Sequence, residues 1–453
     1  MCSLTQKYNV PSPRYTSYPT VPYWDTTSFS LNGWKSTLTK SFDASNAKGE
    51  ISLYIHLPFC EHMCTFCGCT KRITKNHNVE IPYIQAVLKE FQLYCGIFNK
   101  KPIISQLHLG GGTPTFFAPE HLDRLLSGIF TIGKRGGSCD FSFEGHPNNT
   151  TKAHLEVLKN HGFTRVCYGV QDYNELVQKA INRVQSFKAV AQATQTARAM
   201  GYTSVGHDLI YGLPFQTQKD IEDSITKTIA LKPDRIALYS YAHVPWIKGN
   251  GQRGFDQKDL PNSDEKRALY EKAKAMLVAA GYVAIGMDHF ALKTDALSIA
   301  AQNKTLHRNF MGYTTKKTQL LLGLGVSAIS DSSYSFAQNV KNVEEYQKLV
   351  NDGILPLSKG HLLNDEDRIL QKHIRNLMCR FETSWEDRDL LFPELPDVLI
   401  ALGELEKDGL VEFQSKKMIV TKKGQAFVRT ICTPFDLRLQ RKKPNSQLFS
   451  MAI

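Results

Sequence analysis

The chain has 453 residues, 42% hydrophobic and 22% charged, which suits a globular protein of two or three domains with a large core. The N-terminus (Met1-Cys2-Ser3-Leu4-Thr5-Gln6-Lys7) has no apolar signal region and no apolar run approaches the length of a membrane span, so the reading is a cytoplasmic protein. A net charge of +12 suits an anionic partner, although the short basic runs such as Lys316-Lys317 and Arg441-Lys442-Lys443 read first as a solvated surface.

Residues 1–50 lack strong periodicity. Prolines at 11, 13, 19 and 22 bound the aromatic segment Arg14-Tyr15-Thr16-Ser17-Tyr18 and predict an ordered, extended arm, followed by a helix over Leu31–Phe42. From residue 51 a strand–loop–helix pattern repeats. Strands are expected at Ile51–Leu57, Gln106–Leu109, Asp140–Glu144, Arg165–Val170, Ser204–Ile210 and Arg235–Tyr241. The intervening helices are Tyr83–Phe98, Pro119–Phe130, Thr151–Asn160, Phe187–Met200 and Lys219–Ala230, with Gly162 and Gly201 at C-cap positions. Six β/α repeats with nearly continuous apolar strands predict an α/β fold built as an incomplete (β/α)6 barrel, whose site lies at the C-terminal strand ends. Polar residues gather there: Gly110, Glu144, Gln171, Asp208 and His243.

The division expected is an arm over 1–50 covering the active site, a core over 51–245, a core extension over 246–355, and a helical, winged-helix-like domain over 356–453. Within these, 245–261 reads as loop and Asp264–Ala280 as a helix opened by Asp264 as N-cap. Val398–Lys407, a hairpin over Gly409–Val420, and Lys422–Arg429 carry the winged-helix pattern. Its basic residues are not concentrated on one helix, so no nucleic-acid partner is expected.

Four of the ten cysteines fall within ten residues, between Cys60 and Cys69. Thiols this dense in a chain without a secretory signal point to a metal or iron–sulfur site rather than disulfides. Cys60, Cys64 and Cys67 form Cys-x3-Cys-x2-Cys, a spacing that folds three thiolates onto three corners of a [4Fe-4S] cluster and leaves one iron open. Cys69, two residues beyond Cys67, has little chain with which to reach a separate corner. A structural zinc site would take paired cysteines from separate segments, and there is no second pair. The scattered cysteines (Cys2, Cys95, Cys139, Cys167, Cys379, Cys432) read as free thiols in a reducing compartment.

Cys-x3-Cys-x2-Cys with Phe66 before the third cysteine resembles the signature of the radical S-adenosylmethionine (SAM) enzymes. The flanking Tyr54-Ile55-His56-Leu57-Pro58-Phe59, the extra Gly68-Cys69, and the arm Pro13–Thr20 narrow the resemblance to the oxygen-independent coproporphyrinogen III oxidases. So do Gly286–Ala291, Leu306–Thr315, Leu324–Ser330 and Cys432-x-x-Phe435-Asp436, and the resemblance covers nearly the whole chain. It implies a [4Fe-4S] cluster and SAM as cofactors, with Cys60, Cys64 and Cys67 as the metal ligands. It implies SAM contacts at Tyr54, Phe66, Gly111, Gly112, Thr113, Glu144, Gln171, Arg183, Asp208, Ala242 and Ile329. Glu144 is kept where the family commonly has Glu-Val-Asp-Pro, but Gly145-His146 replaces the next two residues. Met311 stands where glutamine is common.

The activity implied is conversion of two propionates of coproporphyrinogen III to vinyl groups, giving protoporphyrinogen IX. A one-electron donor, a terminal electron acceptor and a monomeric state are expected, and no residue beyond the cofactors is named as catalytic. Arg14 and Arg308 are the candidates for substrate carboxylates, because a guanidinium binds carboxylates bidentately. The rival readings are a haem-binding chaperone of the same superfamily, a radical enzyme that methylates or opens haem, and a DNA-binding sensor carrying a cluster.

Overall fold

A computed structural model describes residues 4–46, 50–245, 251–252, 254–444 and 447–452. Strand β1 (Ile51–Leu57) leads into a two-strand ladder of β2 (Phe59–Cys60) and β3 (Arg72–Ile73) that flanks the cysteine loop. The repeats continue with β4 (Ile103–Gly111), β5 (Lys134–Gly145), β6 (Phe163–Gln171), β7 (Ser204–Tyr211) and β8 (Arg235–Ser240). Each pairs in parallel with the next, in the order β1-β4-β5-β6-β7-β8, which is the six-strand core expected. Helices Glu80–Cys95, Pro119–Ile132, Lys152–Asn160, Phe187–Ala199 and Gln218–Leu231 make the crossovers. Isolated strands and helices of this kind hold only because their apolar faces meet: Leu53, Ile55, Leu107, Phe141, Val166, Val205 and Leu238 share one buried core with Leu122, Leu155, Val190 and Ile221.

The remaining strands extend this sheet on both edges. Next come β9 (Tyr282–Ala284), β10 (His289–Leu292), the hairpin β11 (His307–Asn309) and β12 (Gly312–Thr314), then β13 (Leu321–Leu324), β14 (Ile329–Asp331), β15 (Ser335–Asn339) and β16 (Leu357–Leu362). The twelve-stranded order is β16-β15-β14-β13-β1-β4-β5-β6-β7-β8-β10-β9. Strand β13 lies parallel to β1, with Ser52 opposite Leu321 and Ile55 opposite Leu324, so it adds a seventh parallel strand. Its four residues are all buried, and so short a run has no periodicity from which to read a partner. Leu357–Leu362 pairs with β15, which places it in the main sheet rather than in the C-terminal unit that the sequence division began at residue 356.

The C-terminal unit has the helix Asp365–Arg380, the helix Leu395–Lys407, and a three-stranded sheet of β17 (Glu382–Ser384), β19 (Lys417–Val420) and β18 (Val411–Gln414). The arm is ordered as anticipated, after a short helical turn at Leu4–Tyr8. Its Tyr8, Tyr15 and Tyr18 are buried in the same cluster as Leu370, Ile374, Leu377, Phe427 and Phe435 of the C-terminal unit. The helix expected to open at Asp264 spans Ser263–Ala279 and is capped by Asn262, whose side chain accepts from the N–H groups of Asp264 and Glu265. The loop expected over 245–261 contains a 3-10 turn at Gln257–Asp259; its residues 246–250 and 253, and Cys2, lie outside the described residues.

Candidate active site

The cysteine loop is fastened at three points. Gly112 N–H donates to Leu57 O at 2.8 Å and Thr113 N–H to Phe59 O at 3.0 Å, which binds the glycine run after β4 to the chain entering Cys60. A Cβ at Gly112 would stand 2.6 Å from the Pro58 carbonyl, and one at Gly111, whose φ is +119°, would stand 2.9 Å from the His56 ring. Only glycine permits this approach. On the far side, Thr65 N–H donates to Ile181 O at 3.0 Å and Asn182 Nδ2 to Met63 O at 2.8 Å, with Asn182 in the left-handed region. Below the loop, His56 Nε2 lies 2.8 Å from Thr70 O and its Nδ1 lies 3.0 Å from the Tyr54 hydroxyl. Burial pushes the His56 pKa down, so the imidazole is neutral and works as a bridge.

Cys60, Cys64 and Cys67 line one cavity of about 470 Å³. Among the described residues no three His, Cys, Asp or Glu converge as ligands of a lone ion do. Burial raises the Cys60 thiol to about 11, beside Thr113 Oγ1 at 3.3 Å. A hydrogen bond from Cys69 holds Cys67 below the usual thiol range, while the same bond and burial raise Cys69 well above it. Cys69 thereby stands beside Cys67 as a neighbouring donor. Lys71 Nζ closes the turn on Cys67 O at 3.0 Å.

The same cavity is lined by Phe66 of the cysteine loop, Gly111, Gly112 and Thr113 at the end of β4, Glu144 and Gln171 near the ends of β5 and β6, Arg183 in the loop that follows the helix Glu175–Ala180, and Asp208 within β7. Glu144 is the penultimate residue of β5, where Gly111 N–H and His108 Nε2 each stand 3.4 Å from its carboxylate. Gln171 holds φ at +66° beside a register shift between Gly169 and Gln171, which turns the β6 strand end toward the cavity. Arg183 donates through Nη2 to Gly169 O at 2.6 Å and faces Cys64 Sγ at 3.7 Å, while its Nε is buried without an acceptor. Asp208 is raised to about 6 by burial, and the Cys167 thiol donates to it at 3.1 Å. His146 also lines the cavity; burial and the nearby Arg183 lower it to about 3, so it is a neutral acceptor for Asn148 N–H at 3.1 Å.

The other expected site residues lie off this cavity. Tyr54 stands behind it, where a Cβ on Gly110 would meet both Tyr54 and Glu144 at 3.1 Å. Ile329 begins β14 with its carbonyl against Gly323, which is opposite Tyr54 in the sheet. Ala242 lines a neighbouring cavity of about 240 Å³ with His243 and Lys266, and its carbonyl accepts from Gln252 Nε2 at 2.8 Å. Met311 turns the β11–β12 hairpin, its N–H on Asn309 Oδ1 at 2.9 Å. Arg14 is ion-paired with the buried Asp288, so its charge is already neutralised by this chain. Arg308 is buried and donates through Nη2 to Arg14 O at 3.2 Å. Cys167 and Asn182 were not singled out from sequence; Cys167 is readable in retrospect as an inward position of β6, whereas Asn182 acts through its side-chain bond to Met63 O, placed by its left-handed backbone.

Residues 54–227 match the Radical SAM superfamily. An oxygen-independent coproporphyrinogen III oxidase of Pseudomonas aeruginosa is 37% identical, over 99% of this chain and 98% of its own. The chain belongs to the oxygen-independent coproporphyrinogen III oxidases. The relative of that name from Escherichia coli is also 37% identical, over 100% of this chain and 98% of its own. A solved coproporphyrinogen III oxidase from Escherichia coli, described as a radical SAM enzyme, superposes with a TM-score of 0.87 at 36% identity, over 93% of this chain and 97% of that one. The family therefore extends over the arm and the C-terminal unit as well as the barrel, and no helix among the described residues is long and apolar enough to cross a membrane.

Proposed function

We propose that this chain is an anaerobic coproporphyrinogen III dehydrogenase that converts two propionate side chains to vinyl groups and yields protoporphyrinogen IX. The reading rests on one observation: the three thiols of Cys60, Cys64 and Cys67 share a single cavity with Gly111–Thr113, Glu144, Gln171, Arg183 and Asp208. These three cysteines would hold a [4Fe-4S] cluster through thiolates, leaving one iron for SAM. With both bound, the group would supply the one-electron, hydrogen-abstracting chemistry that the oxidative decarboxylation of a propionate needs, its electron passing to an external acceptor.

The chain's own groups bind and orient. The unpartnered Nε of Arg183 is a buried donor suited to the SAM carboxylate. Glu144 and Asp208 offer acceptors for the amino group and ribose hydroxyls, and Asp208 gains a donor to offset its burial. The glycine run, pinned against residues 57–59, is assigned to the methionine end of SAM. Tyr54, Phe66, Gln171, Ala242 and Ile329 are assigned to the SAM side as well. For the substrate carboxylates Arg308 is favoured over Arg14, whose charge Asp288 already balances. The electron donor, the terminal acceptor and a monomeric cytoplasmic state complete the proposal. Anaerobic reconstitution followed by incubation of coproporphyrinogen III with SAM and reductant tests it. Carbon dioxide and a divinyl porphyrinogen are expected; a methylated product, or SAM cleavage with no carbon dioxide, would sink it.

A further inference from the structure

A second group of cations is gathered away from the cluster cavity. Arg308, Lys317 and Arg375 line a small cavity of about 50 Å³ with His307, Asp331 and the arm segment Tyr15–Tyr18. Three segments distant in sequence meet there: the arm, the region from β11 to β14, and the helix Asp365–Arg380. Arg308 is only 7% exposed, yet its Nε and Nη1 are buried with no hydrogen-bond acceptor. Its guanidinium packs over the Tyr313 ring at 4.5 Å, which fixes the plane of the fork.

Other buried guanidinium groups are compensated by the chain. Arg14 pairs with Asp288, Arg235 with Asp295, and Arg429 donates to the carbonyls of Ser12, Pro13, Ser450, Met451 and Ala452. Among the described residues no carboxylate stands within 4.0 Å of Arg308, Lys317 or Arg375 in an ion pair. The acid in this cavity, Asp331, accepts instead from Ser333 N–H at 2.8 Å. Burial lowers Arg375 and Lys317, raises Asp331 and lowers His307 to about 3, so three cations face one acid and a neutral imidazole. Buried guanidinium donors left unpaired cost free energy unless an anion completes them.

We propose that Arg308, Lys317 and Arg375 form a carboxylate-binding pocket that takes one small oxyanion, either a propionate arm of the porphyrinogen substrate or a free anion. The propionate source rests on the proposed function above. A cavity of this size admits a carboxylate and no tetrapyrrole ring, so only an arm of the substrate enters. Because Tyr15–Tyr18 form one wall, an anion there also joins the arm to the C-terminal helix.

The test uses the reconstituted holoprotein as wild type, Arg375→Gln, Lys317→Gln and the exposed control Arg388→Gln. Coproporphyrin III binding is followed by fluorescence titration, and inorganic phosphate by thermal shift. If a propionate fills the pocket, coproporphyrin affinity falls about tenfold in Arg375→Gln and Lys317→Gln but not in Arg388→Gln, as expected for one lost charge-assisted contact. If the source is a free anion, phosphate raises the unfolding midpoint of the wild type and not of the two variants, with coproporphyrin affinity unchanged. Equal responses of the wild type and both variants to both probes overturn the pocket. Should Arg375→Gln lose iron or fold poorly, Lys317→Gln, in the loop between β12 and β13, decides alone. A wild type that binds coproporphyrin but does not decarboxylate coproporphyrinogen refutes the enzymatic reading and leaves the pocket standing; turnover in the wild type with no variant effect refutes the pocket only.

Discussion

Replacing Gly112 by alanine tests whether the cluster loop depends on backbone contact rather than on its cysteines alone. The added Cβ would stand 2.6 Å from both the carbonyl carbon and oxygen of Pro58 and 2.8 Å from Phe59 O. That is about 0.8 Å short of the 3.4 Å at which ordinary contact begins, and all three atoms are backbone, so no side chain can swing away. Relief requires the glycine run to separate from residues 57–60, which breaks the bonds from Gly112 N–H to Leu57 O and from Thr113 N–H to Phe59 O. Two hydrogen bonds at about 1 kcal/mol each and roughly 1–3 kcal/mol of overpacking strain give a cost of about 3–5 kcal/mol. Cys60 is the next residue in the displaced strand, so its thiol moves relative to Cys64 and Cys67. The expected result is a folded protein with a lower unfolding midpoint that binds well under half the wild-type iron and sulfide after anaerobic reconstitution. Wild-type iron content with an unchanged midpoint would refute the reasoning.

Three further outcomes follow from the same geometry. Serine at Cys60, Cys64 or Cys67 abolishes [4Fe-4S] assembly, whereas Cys69→Ser keeps wild-type iron and sulfide and alters only the stability of the cluster to oxidation; sulfide analysis and electron paramagnetic resonance separate the two. Glu90, buried under Gly325 N–H, Asn339 Nδ2 and the Tyr346 hydroxyl, is raised to about 7 by burial. A raised carboxyl keeps its proton in the native state after the unfolded chain has lost it, so this group lowers stability as pH rises from about 4.5 to about 7. Denaturant titrations across that window are expected to show a shallower pH slope in Glu90→Gln, and an unchanged slope would contradict the assignment. Arg429→Met removes the donors that hold Ser12, Pro13 and residues 450–452, at a cost of roughly 2–4 kcal/mol, and limited trypsin digestion should then cut at Arg14 faster than in the wild type. An equally protected arm would show that the tyrosines alone seat it.

The strands and helices of the first six repeats were legible because each is a local pattern: an apolar run, a cap, a C-terminal glycine. The observed strands begin or end within a few residues of the expected ones except β5, whose Lys134 and Arg135 pair with Ile103 and Ile104 across a register shift, with the glycine-containing residues 136–139 between them and the apolar run. The N-cap at Asn262 was missed because both Asn262 and Asp264 are good caps, and only the backbone path decides which side chain reaches the free N–H groups.

The site divides along the same line. Cys-x3-Cys-x2-Cys is short, so covalent spacing alone determines that three thiols lie close together, whereas the glycine run, about 40 residues on, reaches them only through the pairing of β4 with β1. Glu144 and Gln171 share one cavity because the β/α repeat delivers strand ends to one face, whereas Arg183 arrives on the loop after the helix Glu175–Ala180 and Asp208 from within β7. What no local pattern contains is the state of a charge whose partner is hundreds of residues away. Arg14 and Arg308 look alike in sequence, as cations within recognisable motifs. Folding gives Arg14 the carboxylate of Asp288, 274 residues on, and leaves Arg308 beside Lys317 and Arg375 with no acid in contact. The chemistry of this protein is written in segments of a dozen residues; which of its cations remain open to a substrate is decided only when arm, sheet and C-terminal helix close together and exclude the water that would otherwise have made the two arginines equal.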